Sequence, residues 1–342
     1  MIAVREVTWI RHLALVGAIL CFVVVVFGGY TRLSDSGLGC PDWPGCFGHV
    51  APTGSAEHYA TDSDVRKAWI EMIHRYAAST LGLLILVIAA LSIRARRERG
   101  VSVLFSLGLL ALVIFQGMLG MWTVTLLLKP LVVTGHLVGG LTTFALLLWL
   151  WLSLRGTSRP FDCKSVLVGN RLMEIGGRAR MFAGLALAAL AVQVALGGWT
   201  SSNYAALACP DVPKCQDQWI PQQANYEEAF VLWRGLGINY AGGVLDHPTR
   251  VAIHFSHRVG AVVASILLLL AAFATWRRGL GSGVRWAGLA VIAALALQIC
   301  IAYFMVKRAF PLELAAAHNA GAALLVAATV LLNRKLRPTP DF

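Results

Sequence analysis

Four histidines sit where histidines are costly. His74, His136, His257 and His318 each fall inside an apolar run of membrane-spanning length, and an ionisable side chain in such a run marks a functional site by default. Imidazole is also the usual protein ligand of haem iron. His74 comes about four residues into its apolar segment and His136 about five into its own, so at about 1.5 Å per residue both lie roughly 6–8 Å below one surface. Two imidazoles at one depth on two helices of a bundle can face each other across a flat macrocycle. His257 and His318 repeat the arrangement downstream. An interhelical hydrogen bond would account for a single such histidine, but less well for two matched pairs. Small residues follow two of them, Gly139 and Gly140 after His136, Ala320 and Gly321 after His318. They would let a planar group or another helix approach closely.

The neighbours of the two pairs differ. Glu71 precedes His74 by three residues, on the same helix face and one turn nearer the surface; the slot three before His257 holds His254. A carboxylate near a haem edge can accept a proton or stabilise a cation on the substrate; pointing to water is its plainer role. Glu71 nominates the first pair for chemistry. Arg75 and Arg258 directly follow a histidine of each pair, and either pair with haem propionates or snorkel to the interface. Cys40 and Cys46, and Cys209 and Cys215, form two C-x5-C pairs. Each fits a structural disulfide worth about 2–3 kcal/mol or a redox-active pair. Cys21, Cys163 and Cys300 read as reduced thiols. His12, His49, His58 and His247 read as surface residues. No P-loop, dinucleotide fingerprint, zinc-type spacing or serine-hydrolase elbow is present.

The positioning elements must be membrane helices. The 342 residues are 58% hydrophobic and 13% charged, about half the charge of a soluble domain. Apolar runs near 10–30, 70–93, 102–125, 131–153, 181–200, 250–275, 285–305 and 313–333 predict eight transmembrane α-helices, because backbone polar groups in lipid must be satisfied within each segment. Arg5 and Arg11 before the first run imitate a signal peptide, but no small-x-small site follows, so the segment reads as an anchor. The net charge of +12 is spread over Arg5, Arg11, the group Arg94 to Arg99, the stretch Arg155–Arg180, Arg277, Arg278, Arg285, Arg334, Lys335 and Arg337. These are alternate loops and both termini, so the charge is topological and excludes a nucleic-acid footprint. It places both termini in the cytoplasm and the long loops 31–69 and 201–249 on the oxidising side, where disulfides persist.

The chain also writes itself twice. GGYTRLSDSGLGCPDWPGC at 28–46 and GGWTSSNYAALACPDVPKC at 197–215 share nine of nineteen positions, including C-P-D-x-P-x-C. His74-Arg75 matches His257-Arg258, Gln116 matches Gln298 and His136 matches His318. A weaker echo, Gln-x-x-Leu-Gly-x-Trp-Thr, links 116–123 with 193–200. The expectation is two four-helix bundles related as a parallel repeat about an axis along the membrane normal: an N-terminal half 1–153, a cytoplasmic linker 154–180 and a C-terminal half 181–342.

GGYTRLSDSGL at 28–38, EMIHR at 71–75, TGHLVG at 134–139, IHFSHR at 253–258 and AAAHNA at 315–320 together resemble the heme A synthase family over about residues 10–335. The resemblance implies an integral enzyme of a bacterial-type inner membrane that oxidises the C8 methyl of heme O, through hydroxylated intermediates, to the formyl of heme A. It further implies that His74 and His136 hold the substrate, that His257 and His318 ligate a resident haem b, that Glu71 is catalytic, and that Cys40 and Cys46 are the family's cysteine pair. A heme O synthase would supply substrate, and a quinone or other acceptor would take electrons. Homo-oligomerisation stays open.

Rival readings use the same residues differently. A di-haem electron-transfer cytochrome would employ the four histidines but not Glu71, and would leave its haems unmodified. A parallel-repeat transporter would relay protons through the histidines and bind no haem. A thiol oxidase would need reactive cysteines but no intramembrane histidine pairs.

Overall fold

The computed structural model describes residues 2–52, 61–98, 101–154, 170–276 and 280–337. Arg99, Arg155, Arg277, Arg278, His58, Cys163 and most of the expected linker lie outside them. Eight helices are long and apolar enough to cross a membrane: α1 (Ile2–Leu33), α2 (Asp62–Arg94), α3 (Val103–Thr125), α4 (Pro130–Leu154), α5 (Asn170–Ser202), α7 (His247–Ala274), α8 (Ser282–Lys307) and α9 (Leu312–Leu336). A one-turn helix, α6 (Tyr226–Ala229), lies in the second long loop. Among the described residues there is no strand, only isolated bridges at Cys46–His49 and Cys215–Gln218.

Each apolar run becomes a helix, but several helices outlast their runs. α2 starts eight residues before the expected onset because Thr61 and Asp64 close a capping box, which satisfies free N–H groups outside the apolar zone. Asp246 caps α7 by accepting from Thr249 N–H at 3.0 Å, with Pro248 in the first turn. Hydropathy registers only the buried stretch of such a helix, so these polar overhangs were missed.

α1 packs on α2 and α4, and α3 closes the first group of four against α2 and α4. In the second group α5 packs on α7 and α9, with α8 against both of those. The two groups meet where α1 and α4 touch α9 and where α4 touches α5. Their shared core is rich in small residues, among them Ala14, Ala18, Ala183, Ala186, Ala271 and Ala323, which let helix backbones approach. Polar links cross it: Asn333 Nδ2 donates to Ala183 O at 3.0 Å, and Arg334 Nε to Ser153 Oγ at 3.3 Å.

The loops repeat in detail. Both cysteine pairs are disulfide-bonded, Cys40–Cys46 and Cys209–Cys215. Trp43–Pro44 and Val212–Pro213 are both cis. The short turns after α3 and α8 each carry two consecutive left-handed residues, Leu127 and Leu128, then Ala309 and Phe310.

Candidate functional site

α2 and α4 bring the first histidine pair together. The His74 and His136 rings lie 6.4 Å apart, centre to centre, at 84° to one another. Two imidazoles that bound one metal from opposite sides at about 2.0–2.1 Å each would hold their ring centres roughly 6.3–6.5 Å apart. The spacing therefore suits one shared metal. Nδ1 of each ring is buried without a partner. α1 must run close to His74: a Cβ on Gly28 would stand 2.6 Å from His74 Cε1. Gly120 of α3 faces His136 in the same way at 3.5 Å. Gln116, also on α3, is buried over Gly139 with neither amide atom partnered.

Glu71 is buried one turn from His74 and tied on both oxygens. Oε1 receives Arg75 Nη2 at 2.5 Å, and Oε2 accepts the Cys40 N–H at 3.0 Å. Arg75 donates its other terminal nitrogen to the carbonyls of Asp42 and Gly45 at 2.9 and 2.6 Å. The first cysteine loop is thus clamped onto the carboxylate by one guanidinium, as a planar five-donor fork permits. Within that loop Asp42 accepts from Phe47 and Gly48 N–H at 2.7 and 2.8 Å. Partial burial works against its charge, but these N–H groups outweigh it and hold the Asp42 carboxyl below its ordinary range.

A cavity of about 1020 Å³ opens between these elements, lined by His74, His136, Glu71, Arg32 and the glycines of α1. Apolar side chains of α2 and α3, including Leu83, Leu86, Leu110 and Ile114, also line it. Gly197, Gly198, Ser201 and Asn319 of the second group also reach it. A volume of this order holds a large, mostly apolar ligand with a few fixed polar contacts.

The second pair is built on the same plan with different support. His257 of α7 faces Gly197 of α5, where an added Cβ would stand 3.1 Å from Cε1. The Gln193 amide reaches His257 Nδ1 and its carbonyl, both at 3.0 Å. Gln298 reaches His318 Nδ1 at 3.1 Å and its carbonyl at 3.1 Å. Arg258 donates to the carbonyls of Cys209, Asp211 and Lys214 at 2.7–2.8 Å, clamping the second cysteine loop. Its Nε reaches His254 Nε2 at 3.3 Å, so His254 stands where Glu71 stands in the first group. Asp211 repeats Asp42, accepting from Gln216 and Asp217 N–H at 2.8 and 3.0 Å.

The four histidines, Glu71, Arg75, Arg258 and the four loop cysteines all fall in these two constellations. Both arginines turn out to be committed to loop carbonyls. Sequence reading noticed the matched Gln116 and Gln298 without giving them a role, and gave none to Asp42, Asp211, Gln193, Arg32 or Asn319. The repeated C-P-D-x-P-x-C was the available signal for the two aspartates.

The pairing itself restricts what can bind. Among the described residues no group of three or more His, Cys, Asp or Glu is placed to hold a bare ion. Two facing imidazoles suit a metal that arrives with its own equatorial ligands, as haem iron does. The partnerless Nδ1 atoms and the glycine cradle fit such a group in the first cavity.

Comparison with known proteins agrees with that geometry. Residues 11–330 match the family model COX15-CtaA, described as cytochrome oxidase assembly protein. The chain is 41% identical to a heme A synthase of Shewanella oneidensis, over 96% of each. It is 28% identical to the heme A synthase of Rhizorhabdus wittichii over 91% of this chain and 89% of that one. It is 29% identical to that of Beijerinckia indica over 92% and 89%. Matched by the family model over nearly its whole length, and by a relative 41% identical from end to end, the chain belongs to the COX15-CtaA family of cytochrome oxidase assembly proteins.

Proposed function

We propose that the protein is a heme A synthase, a membrane-bound haem-modifying oxidoreductase that converts the C8 methyl of heme O to a formyl group. The observation that carries this reading is the first cavity. It combines two facing imidazoles with a buried carboxylate and an apolar wall, in a chain whose relatives bear that name.

In this reading the N-terminal half, 1–153, holds heme O between His74 and His136, and the C-terminal half, 181–342, holds a resident haem b between His257 and His318. The difference in support favours that division. The amides of Gln193 and Gln298 pack on the rings and main-chain carbonyls of His257 and His318, a restraint on ring position that suits a permanent ligand set. Imidazoles with unpartnered Nδ1 atoms suit a group that must come and go. The halves form a parallel repeat joined through 154–180, with both termini cytoplasmic and the cysteine loops outside, as the matching loop geometries and the basic alternate loops support.

A haem b held by His257 and His318 would supply one-electron transfer between the substrate site and an external acceptor of the quinone type. Asn319, next to His318, lines the first cavity, so α9 carries a residue of each site. At the methyl carbon, loss of two electrons and a proton leaves a cation. Water adds there and loses a second proton, giving the hydroxymethyl. Repeating the sequence gives a hydrate that loses water to the aldehyde. In this reading Glu71 would steady that cation and take a proton, its carboxylate held in place by Arg75 and the Cys40 N–H. A heme O synthase is the natural donor of substrate.

Acid–acetone extraction of the purified protein, with haems identified by mass, tests the reading. Haem b together with heme O, its hydroxylated form or heme A is expected. Haem b alone, from a host that makes heme O, would favour an electron-transfer cytochrome. Glu71→Ala should keep its haem but lose product by at least about 100-fold, the scale of a general acid–base group; full heme A yield would remove Glu71 from the mechanism.

A further inference from the structure

We infer that Arg32 anchors a propionate carboxylate of the substrate in the first cavity, an inference that rests on the haem-oxidising reading above. A porphyrin of this class carries two propionates, and a carboxylate brought into a buried site needs a charged or hydrogen-bonding partner. Two arginines line the cavity among the described residues, Arg32 and Arg75. Arg75 is already neutralised by Glu71 at 2.5 Å and donates to the loop carbonyls of Asp42, Pro44 and Gly45. Arg32 is paired more loosely, with Asp35, which also accepts from the Tyr204 hydroxyl at 3.2 Å. Its Nη1 donates to the Tyr204 hydroxyl at 3.0 Å and its Nη2 to Ser201 O at 3.1 Å, with the guanidinium 4.2 Å from the Tyr204 ring centre. Asp35 lies 3.7 Å away but is 64% exposed, and so exposed a carboxylate screens weakly. Arg32 Nε is buried with no partner.

Position argues the same way. Arg32 lies four residues beyond Gly28, on the same face of α1 and about 6 Å nearer the loop end. Gly28 is the point where α1 meets the His74 ring. Arg32 therefore lines the rim of the cavity, one turn above the histidines, where the polar edge of an otherwise apolar ring system would lie. The repeat adds an asymmetry. In the second copy of the loop motif the residue matching Arg32 is Ser201, so the repeat does not supply this cation a second time.

The test uses the full chain in detergent with haem b in its second site. Ferric protoporphyrin IX and its dimethyl ester, which lacks the carboxylate charges, are titrated and followed by the Soret difference spectrum. His136→Ala serves to identify binding at the first site. The wild type should bind the free acid roughly tenfold or more tightly than the diester, the scale of a hydrogen bond to a charged group. Arg32→Gln should bind both forms alike at about the diester's affinity, and Arg32→Lys should recover part of the preference. A wild type indifferent to esterification would overturn the assignment, as would Arg32→Gln retaining the full preference. The wild-type comparison decides the matter even if a variant loses its haem b spectrum and so its fold. Absence of any saturable binding that His136→Ala removes would instead overturn the haem-oxidising reading, and the inference with it.

Discussion

His74 and His257 occupy matching places but have different company. Four residues before Gly197 stands Gln193, whose amide meets His257 Nδ1; four before Gly28 stands Val24, which offers nothing to His74. Outer partners of metal-bound histidines typically change affinity by about 10–100-fold. Gln193→Leu should therefore weaken haem retention in the second site by that order and shift its Soret and α bands, while haem binding at the first site stays as it was. An unchanged spectrum and unchanged retention would show that the amide is packing only. At the same scale, the single change from His254 to Glu71 between the two repeats gives one site a carboxylate and the other an imidazole, each held by the arginine of its own HR dipeptide.

Among the elements, the helix pairs carrying the histidines depend on glycine at their contact. A methyl group on Gly28 would stand 2.6 Å from the His74 ring, and one on Gly197 would stand 3.1 Å from the His257 ring. A short, ring-bearing side chain cannot yield easily inside a packed bundle. Gly28→Ala should displace the His74 imidazole and cut haem binding at the first site by tenfold or more, on the order of 1.4 kcal/mol, whereas Gly197→Ala should be better tolerated. Equal losses in the two variants would contradict this. The cysteine loops form the other structural unit. Since the Asp42 and Asp211 carboxyls are held below their ordinary range, the charged form favours the folded loop. That contribution is present in full above about pH 4, the unfolded value, and is lost as pH falls through the lowered folded values. Amide exchange at Phe47, Gly48, Gln216 and Asp217, corrected for intrinsic rates, should accelerate below that pH. Asp42→Asn should bring the Phe47 and Gly48 change to neutral pH without affecting Gln216 and Asp217.

At the level of the whole molecule, the second long loop crosses over to the first group of helices. Lys129, in the short turn before α4, is buried, donates to Gly235 O and stands 3.2 Å from the Trp233 ring centre. Tyr240 N–H donates to Leu127 O at 3.0 Å beside it. A cation on an aromatic face, shielded from water, is worth about 2 kcal/mol. Lys129→Met should loosen segment 233–240 and expose it to limited proteolysis, with both haem sites still loaded. Resistance equal to wild type would show that the backbone contact alone holds the loop.

Much of this was legible in the chain. Period and length of the apolar runs determine eight helices, because lipid leaves the backbone no other way to satisfy its polar groups. The doubled polar motif determines that two loops share one design, because such a string of cysteine, proline and aspartate does not recur by composition alone. The costly histidines and Glu71 announce themselves for the same reason: burying an ionisable group demands a function. Partnership was decided only in three dimensions. Arg75 and Arg258 look alike and equally available in sequence, yet both are committed to loop carbonyls. Arg32, in the same motif as the first cysteine pair, lines the cavity with only an exposed carboxylate for an ion partner. Gln193 and Asn319 acquire their roles from contacts between helices far apart in the chain. Local sequence records the cost of a residue's burial; which neighbour offsets that cost depends on how the helices pack.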